Sequence, residues 1–122
     1  MTNYKDVEEG KLVAILSYFL VGIIWFFADE KMKKNEFVKF HVKQSLVLLI
    51  FSVIVWVIQA IVSVIITAIA VVTFGLGSVL FVIPMLIGLI PLIFWIFGLI
   101  YSIQGVEKEI PLIGKFEKNF TF

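Results

Sequence analysis

Residues 44–106 read QSLVLLIFSVIVWVIQAIVSVIITAIAVVTFGLGSVLFVIPMLIGLIPLIFWIFGLIYSIQGV, 63 positions without one Asp, Glu, Lys or Arg. A hydrocarbon core of roughly 30 Å takes about 20 apolar residues at 1.5 Å each, so this stretch is too long for one crossing and long enough for two. Its first half, Leu46–Phe74, holds neither Gly nor Pro, and Phe74-Gly75-Leu76-Gly77-Ser78 is the first strong turn signal after it. In the second half Pro84 and Pro91 each remove a backbone donor, which is expected to kink or break the helix there.

Outward from this run the chain stays apolar. Hydrophobic residues make up 61% of it, and mean hydropathy is +1.12, beyond what a water-exposed domain tolerates. A further apolar segment, Leu12–Phe27, lies between a polar head and Asp29-Glu30. A cleaved signal peptide is the alternative there, but three acids stand in the head and no small-x-small pattern precedes Asp29. The segment is read as an uncleaved span. The expectation is an all-α, polytopic transmembrane helical bundle forming a single integral membrane domain, with spans near 12–28, 45–74 and 78–104.

Lysine placement orients it. The charged residues sit at 5–11, 29–43 and 107–118, with two, five and three lysines in turn. Three spans put the 29–43 loop and the tail on one side, eight lysines against two, the signature of a cytoplasmic C-terminus and an outside N-terminus in the cell membrane. Four spans give five against five and need a break near Ser63–Thr67, where no Gly or Pro stands. Three spans are the better reading.

At 100° per residue, His41, Ser45, Ser52, Trp56, Gln59, Ser63 and Thr67 fall on a stripe about 80° wide along the second span. Gly77, Pro84, Gly88, Pro91, Trp95, Gly98 and Ser102 share a face of the third. Small residues let membrane helices approach, and hydroxyl and amide groups bond across the contact. The two faces therefore read as packing surfaces, with a polar path beside Gln59 or a homo-oligomer contact as alternatives.

Chemistry is scarce. No cysteine and one histidine exclude thiolate chemistry, disulfides and a multi-histidine metal site within one chain. Tyr101 is the one titratable side chain in 44–106, whereas proton relays use intramembrane carboxylates or histidines. The stripe hydroxyls have no base beside them. His41 with Glu36 or Asp29 could form an interfacial acid–base pair, but a histidine orienting the second helix is the simpler reading. No catalytic residue, cofactor or metal is expected, and lysines interleaved with acids do not make a nucleic-acid surface. Asn119-Phe120-Thr121 fits a glycosylation sequon but belongs to the expected cytoplasmic side.

Two segments read as interfacial anchors. Before the second span, Phe37, Val38 and Phe40 can lie at the headgroup boundary beside His41 and Gln44, with Lys39 and Lys43 wet. The tail repeats the theme with Ile110-Pro111-Leu112-Ile113-Gly114, Phe116, Phe120 and Phe122. The string Asn35-Glu36-Phe37-Val38-Lys39-Phe40-His41-Val42-Lys43-Gln44-Ser45-Leu46 resembles the opening motif of the Tic20-like membrane proteins. Residues 110–114 and Leu16-Ser17-Tyr18 are similar to other parts of that family, and the resemblance covers about residues 11–116. The family is named for a chloroplast protein-import component and includes small prokaryotic and magnetosome-membrane proteins. The resemblance implies a place in a protein-conducting assembly, although the import component is described with four spans. The expected function is thus a non-enzymatic component or organiser of a membrane assembly, with the bilayer, copies of itself or other membrane proteins as partners. The alternative is a passive channel or small-solute carrier lined by Ser52, Gln59, Ser63 and Thr67.

Overall fold

The computed structural model describes residues 4–122, and among these every regular element is helical. Helices α1 (Tyr4–Ser17), α2 (Val21–Ala28) and α3 (Glu30–Lys33) precede the long α4 (Glu36–Val72) and α5 (Val82–Gln104). Short 3-10 helices cover Leu76–Phe81 and Gly114–Asn119. The chain divides into two compact units, one running to Leu49 and resuming at Phe94, the other Ile50–Ile93.

In the first unit the expected span at 12–28 is not one helix. It breaks at Tyr18–Leu20, where the amides of Tyr18, Phe19 and Leu20 bond to carbonyls three residues back and Leu20 turns left-handed at φ 69°. Gly22 then lets α2 lie directly on α1: a Cβ there would stand 2.2 Å from the Ser17 nitrogen and 2.3 Å from the Val13 oxygen. At 14 and 8 residues, α1 and α2 each fall short of the about 20 needed to cross.

Instead they form a hairpin whose open end is charged. Asn35 donates from Nδ2 to the Asp6 carbonyl at 2.9 Å, the Glu36 amide donates to the Asp6 carboxylate at 3.1 Å, and Lys31 pairs with Glu9 at 3.8 Å. Head and 29–36 loop are therefore neighbours. Asn35 also caps α4, accepting from the Val38 amide at 3.1 Å, the ordinary work of an Asn before a helix. Val13, Phe26, Met32, Val38 and Val42 form the apolar core beneath, with Ile23 and Leu46 against it.

The second unit holds the deeper part of α4 and the start of α5. Thr73 closes α4 by donating to the Ile69 carbonyl at 2.7 Å and accepting the Gly77 amide at 2.8 Å, and Gly75 turns the chain at φ 92°. Where a kink or a break is expected, α5 runs unbroken through both prolines. Pro84 lies in its first turn, where no intrahelical donor is lost, and Pro91 is carried in the interior, as membrane helices allow.

Two helical stretches, Glu36–Val72 and Leu76–Gln104, are long and apolar enough to cross a bilayer; the third expected span has no such helix. Only 17% and 11% of their most apolar windows are buried, which separates them from core helices of a water-soluble protein.

Candidate functional site

The first unit is built around polar side chains that are almost wholly enclosed. His41, on the second turn of α4, is fully buried between three rings: Phe37 at 4.7 Å, Phe40 at 5.2 Å and Tyr18 at 5.7 Å between centroids. Its Nε2 lies 2.8 Å from the Val106 carbonyl, which can only accept, so Nε2 carries the proton. Nδ1 is then the acceptor for the Tyr18 hydroxyl at 2.7 Å. One neutral imidazole thus joins the hairpin tip to the second residue past the end of α5.

Around it the tip is held twice more. The Trp95 indole donates to the Tyr18 carbonyl at 2.7 Å, and Phe19 meets Trp95 edge-on at 5.3 Å. Gly98 makes room for the Tyr18 ring, since a Cβ there would stand 2.4 Å from Cε1. Trp95 is nine residues before Gln104, so the tip lies about 14 Å along the helix from the end of α5.

Gln44, one turn after His41, holds the tail. Its Nε2 donates to the Gly114 carbonyl at 2.9 Å while its Oε1 accepts the Ile110 amide at 3.0 Å. Gly114 is required: a Cβ there would stand 2.6 Å from Oε1. Ile110 and Ile113 are buried as a result, and Leu112, at φ 69°, is left outside.

The 37–44 segment is enclosed by other parts of the chain rather than presented outward. Phe37 is 0% exposed and Val38 packs over Gly10, because α1, α2 and the tail cover the face that the sequence assigns to the interface. Lys39, Phe40 and Lys43 are half-buried.

The stripe on α4 divides between the units. Ser45 returns its hydroxyl to the Val42 carbonyl at 2.8 Å and Thr67 to the Ser63 carbonyl at 2.8 Å, each within its own helix. Ser52 is buried, Ser63 half-buried and Thr67 exposed. Trp56 is 50% exposed. Gln59 donates from Nε2 to the Pro84 carbonyl at 2.9 Å, with Gly88 packed against its amide.

At the charged end, the buried Oε1 of Glu107 has no hydrogen-bond partner among the described residues. Burial pushes its carboxyl above the usual range, and the charges of Glu36 and Asp6 push the same way. Among the described residues no group of three or more His, Asp or Glu could hold a metal ion. What the arrangement does chemically is to lock: it fixes one histidine tautomer and ties three chain segments together. Sequence reasoning named His41 and Gln44 but not their partners Tyr18, Val106, Ile110 and Gly114, nor Trp95 beside Tyr18. The one available signal was Trp95 and Gly98 on a shared face.

A profile of the MamF/MmsF family, described as the magnetosome magnetite crystal formation protein family, matches residues 10–117. The string 35–46 lies inside that match, so the Tic20-like assignment is corrected, and the protein-conducting role that it implied falls with it. No curated protein and no solved structure matches the chain.

Proposed function

The chain belongs to the MamF/MmsF magnetosome magnetite crystal formation family, and on that premise we propose that it is a two-crossing protein of the magnetosome membrane that supports crystal formation as part of an assembly, without chemistry of its own. The observation that carries this reading is the contact of Asp6 with Asn35 and Glu36. It brings the polar head to the 29–43 loop, so that α4 and α5 are the crossings and both termini share one side. All ten lysines then lie on that side and none on the other, which favours the cytoplasm more strongly than the eight-to-two division of a three-span chain with its N-terminus outside.

The far turn, Thr73–Ser78, has no ionisable side chain. Hard cations such as iron are held by carboxylate or imidazole groups, and this turn offers neither to a growing mineral. Action through partners follows.

The test is removal of the chain from a magnetite-forming cell, with crystal dimensions read by electron microscopy, and affinity purification from the isolated membrane. Altered crystals, restored by the wild-type chain, and a defined co-purifying assembly are expected. Unchanged crystals, or purified protein that by itself oxidises iron or nucleates mineral in liposomes, would overturn the proposal.

A further inference from the structure

We propose that the α1–α2 hairpin is a one-leaflet insertion, and that it makes this protein favour membrane curved with its charged side convex. The inference rests on the two-crossing reading above and extends it to a physical effect on the bilayer.

The hairpin has charge at its open end and apolar surface everywhere beyond. Lys5 to Lys11 lead into it and Asp29 to Lys34 lead out. Between them Leu12, Leu20, Val21 and Ile24 are exposed, Ile24 by 72%. Water is an unsuitable solvent for that surface, and lipid tails are a suitable one. The tip stops beside Trp95 and Gly98, about 14 Å in, and returns. At a helix diameter of about 10 Å, two helices add on the order of 150 Å² to the leaflet they enter and nothing to the leaflet beyond their tip.

The insertion is also stiff. Tyr18 is bonded through its hydroxyl to His41 and through its carbonyl to Trp95, and Gly22 seats α2 on α1 with no slack. A leaflet so expanded relieves its area excess by bending away from the other one. With the lysines cytoplasmic, the expanded leaflet is the cytoplasmic one, which is the convex outer leaflet of any intracellular vesicle.

The experiment uses the full chain, labelled through Thr121→Cys in this cysteine-free sequence and reconstituted into giant vesicles from which narrow membrane tubes are drawn. Molecules with Thr121 outward should be enriched on the tube relative to the parent vesicle, increasingly so as the tube narrows, and molecules with Thr121 inward should be depleted. Equal density at every radius overturns the inference. Leu12→Ala, Val21→Ala and Ile24→Ala together thin the hairpin at positions outside the core, so the fold is kept while enrichment falls; enrichment equal to wild type would remove the hairpin as its cause. Impermeant labelling of Tyr4→Cys and Thr121→Cys in sealed vesicles separates the two levels. Labelling from opposite sides defeats the two-crossing reading itself, whereas same-side labelling without sorting defeats the curvature effect alone.

Discussion

The hydroxyl of Tyr18 and Nδ1 of His41 lie 2.7 Å apart, although 23 residues separate them in the chain. This bond couples the hairpin tip to α4, and the opposite ring nitrogen couples α4 to Val106. Tyr18→Phe leaves a buried Nδ1 without its donor, which costs about 1–3 kcal/mol. Unfolding of the detergent-solubilised protein should shift by that amount, and a variant as stable as wild type would show the bond to be dispensable.

Gln44 joins the tail through one donor and one acceptor. Gln44→Leu removes both and leaves the Gly114 carbonyl and Ile110 amide unpaired, so residues beyond Val106 should become sensitive to protease while α5 stays protected. Gln44→Glu keeps the acceptor and should give an intermediate rate of cleavage. Wild-type protection in both variants would mean that apolar burial of Ile110 and Ile113 holds the tail alone.

In the second unit, Gly88 and Gln59 are predicted to be coupled. A Cβ at position 88 would stand 2.4 Å from Nε2 of Gln59, so Gly88→Ala displaces the amide from the Pro84 carbonyl. Membrane side-chain hydrogen bonds are worth about 0.6 kcal/mol on average. A double-mutant cycle with Gln59→Leu should therefore be non-additive by about that amount; strict additivity would deny the coupling.

Glu107 should set a pH dependence. Its folded carboxyl is raised above the unfolded value, chiefly by burial, so the fold favours the protonated form. The contribution is present below the unfolded pKa and is lost as pH rises through the folded one. Thermal stability should accordingly decline from acid towards neutral pH, and Glu107→Gln should flatten that decline and melt higher at neutral pH. A variant with the wild-type slope would assign the decline elsewhere.

Much of the membrane part was legible from residues 44–106 because charge and length alone define a span. The turn at 74–78 was equally plain, since Gly75 and Gly77 allow what Thr73 then fastens. The break in the first apolar segment was not legible because the left-handed Leu20 has no residue-type signal, and Gly22 on a helix wheel looks like any packing position. Wheels also assign direction without partner. They put Trp56 on the inward stripe although it is exposed, and could not tell that Ser45 and Thr67 satisfy their hydroxyls on their own helix. His41 and Gln44 stood out in sequence, but their partners come from residues 18, 106, 110 and 114, distances that no local pattern encodes.

The Gln44 latch imposes an order on biogenesis. Its acceptor, the Gly114 carbonyl, is made 70 residues after it, once both α4 and α5 have been synthesised. Until Val106, Ile110 and Gly114 have been made in turn, the ring of His41 and the amide of Gln44 lack these partners, at the mouth of an apolar helix where an unpaired polar group is costly. Docking of the tail is thus the closing step of maturation, and a chain that stops short of Gly114 would reach the bilayer with its polar lock still open.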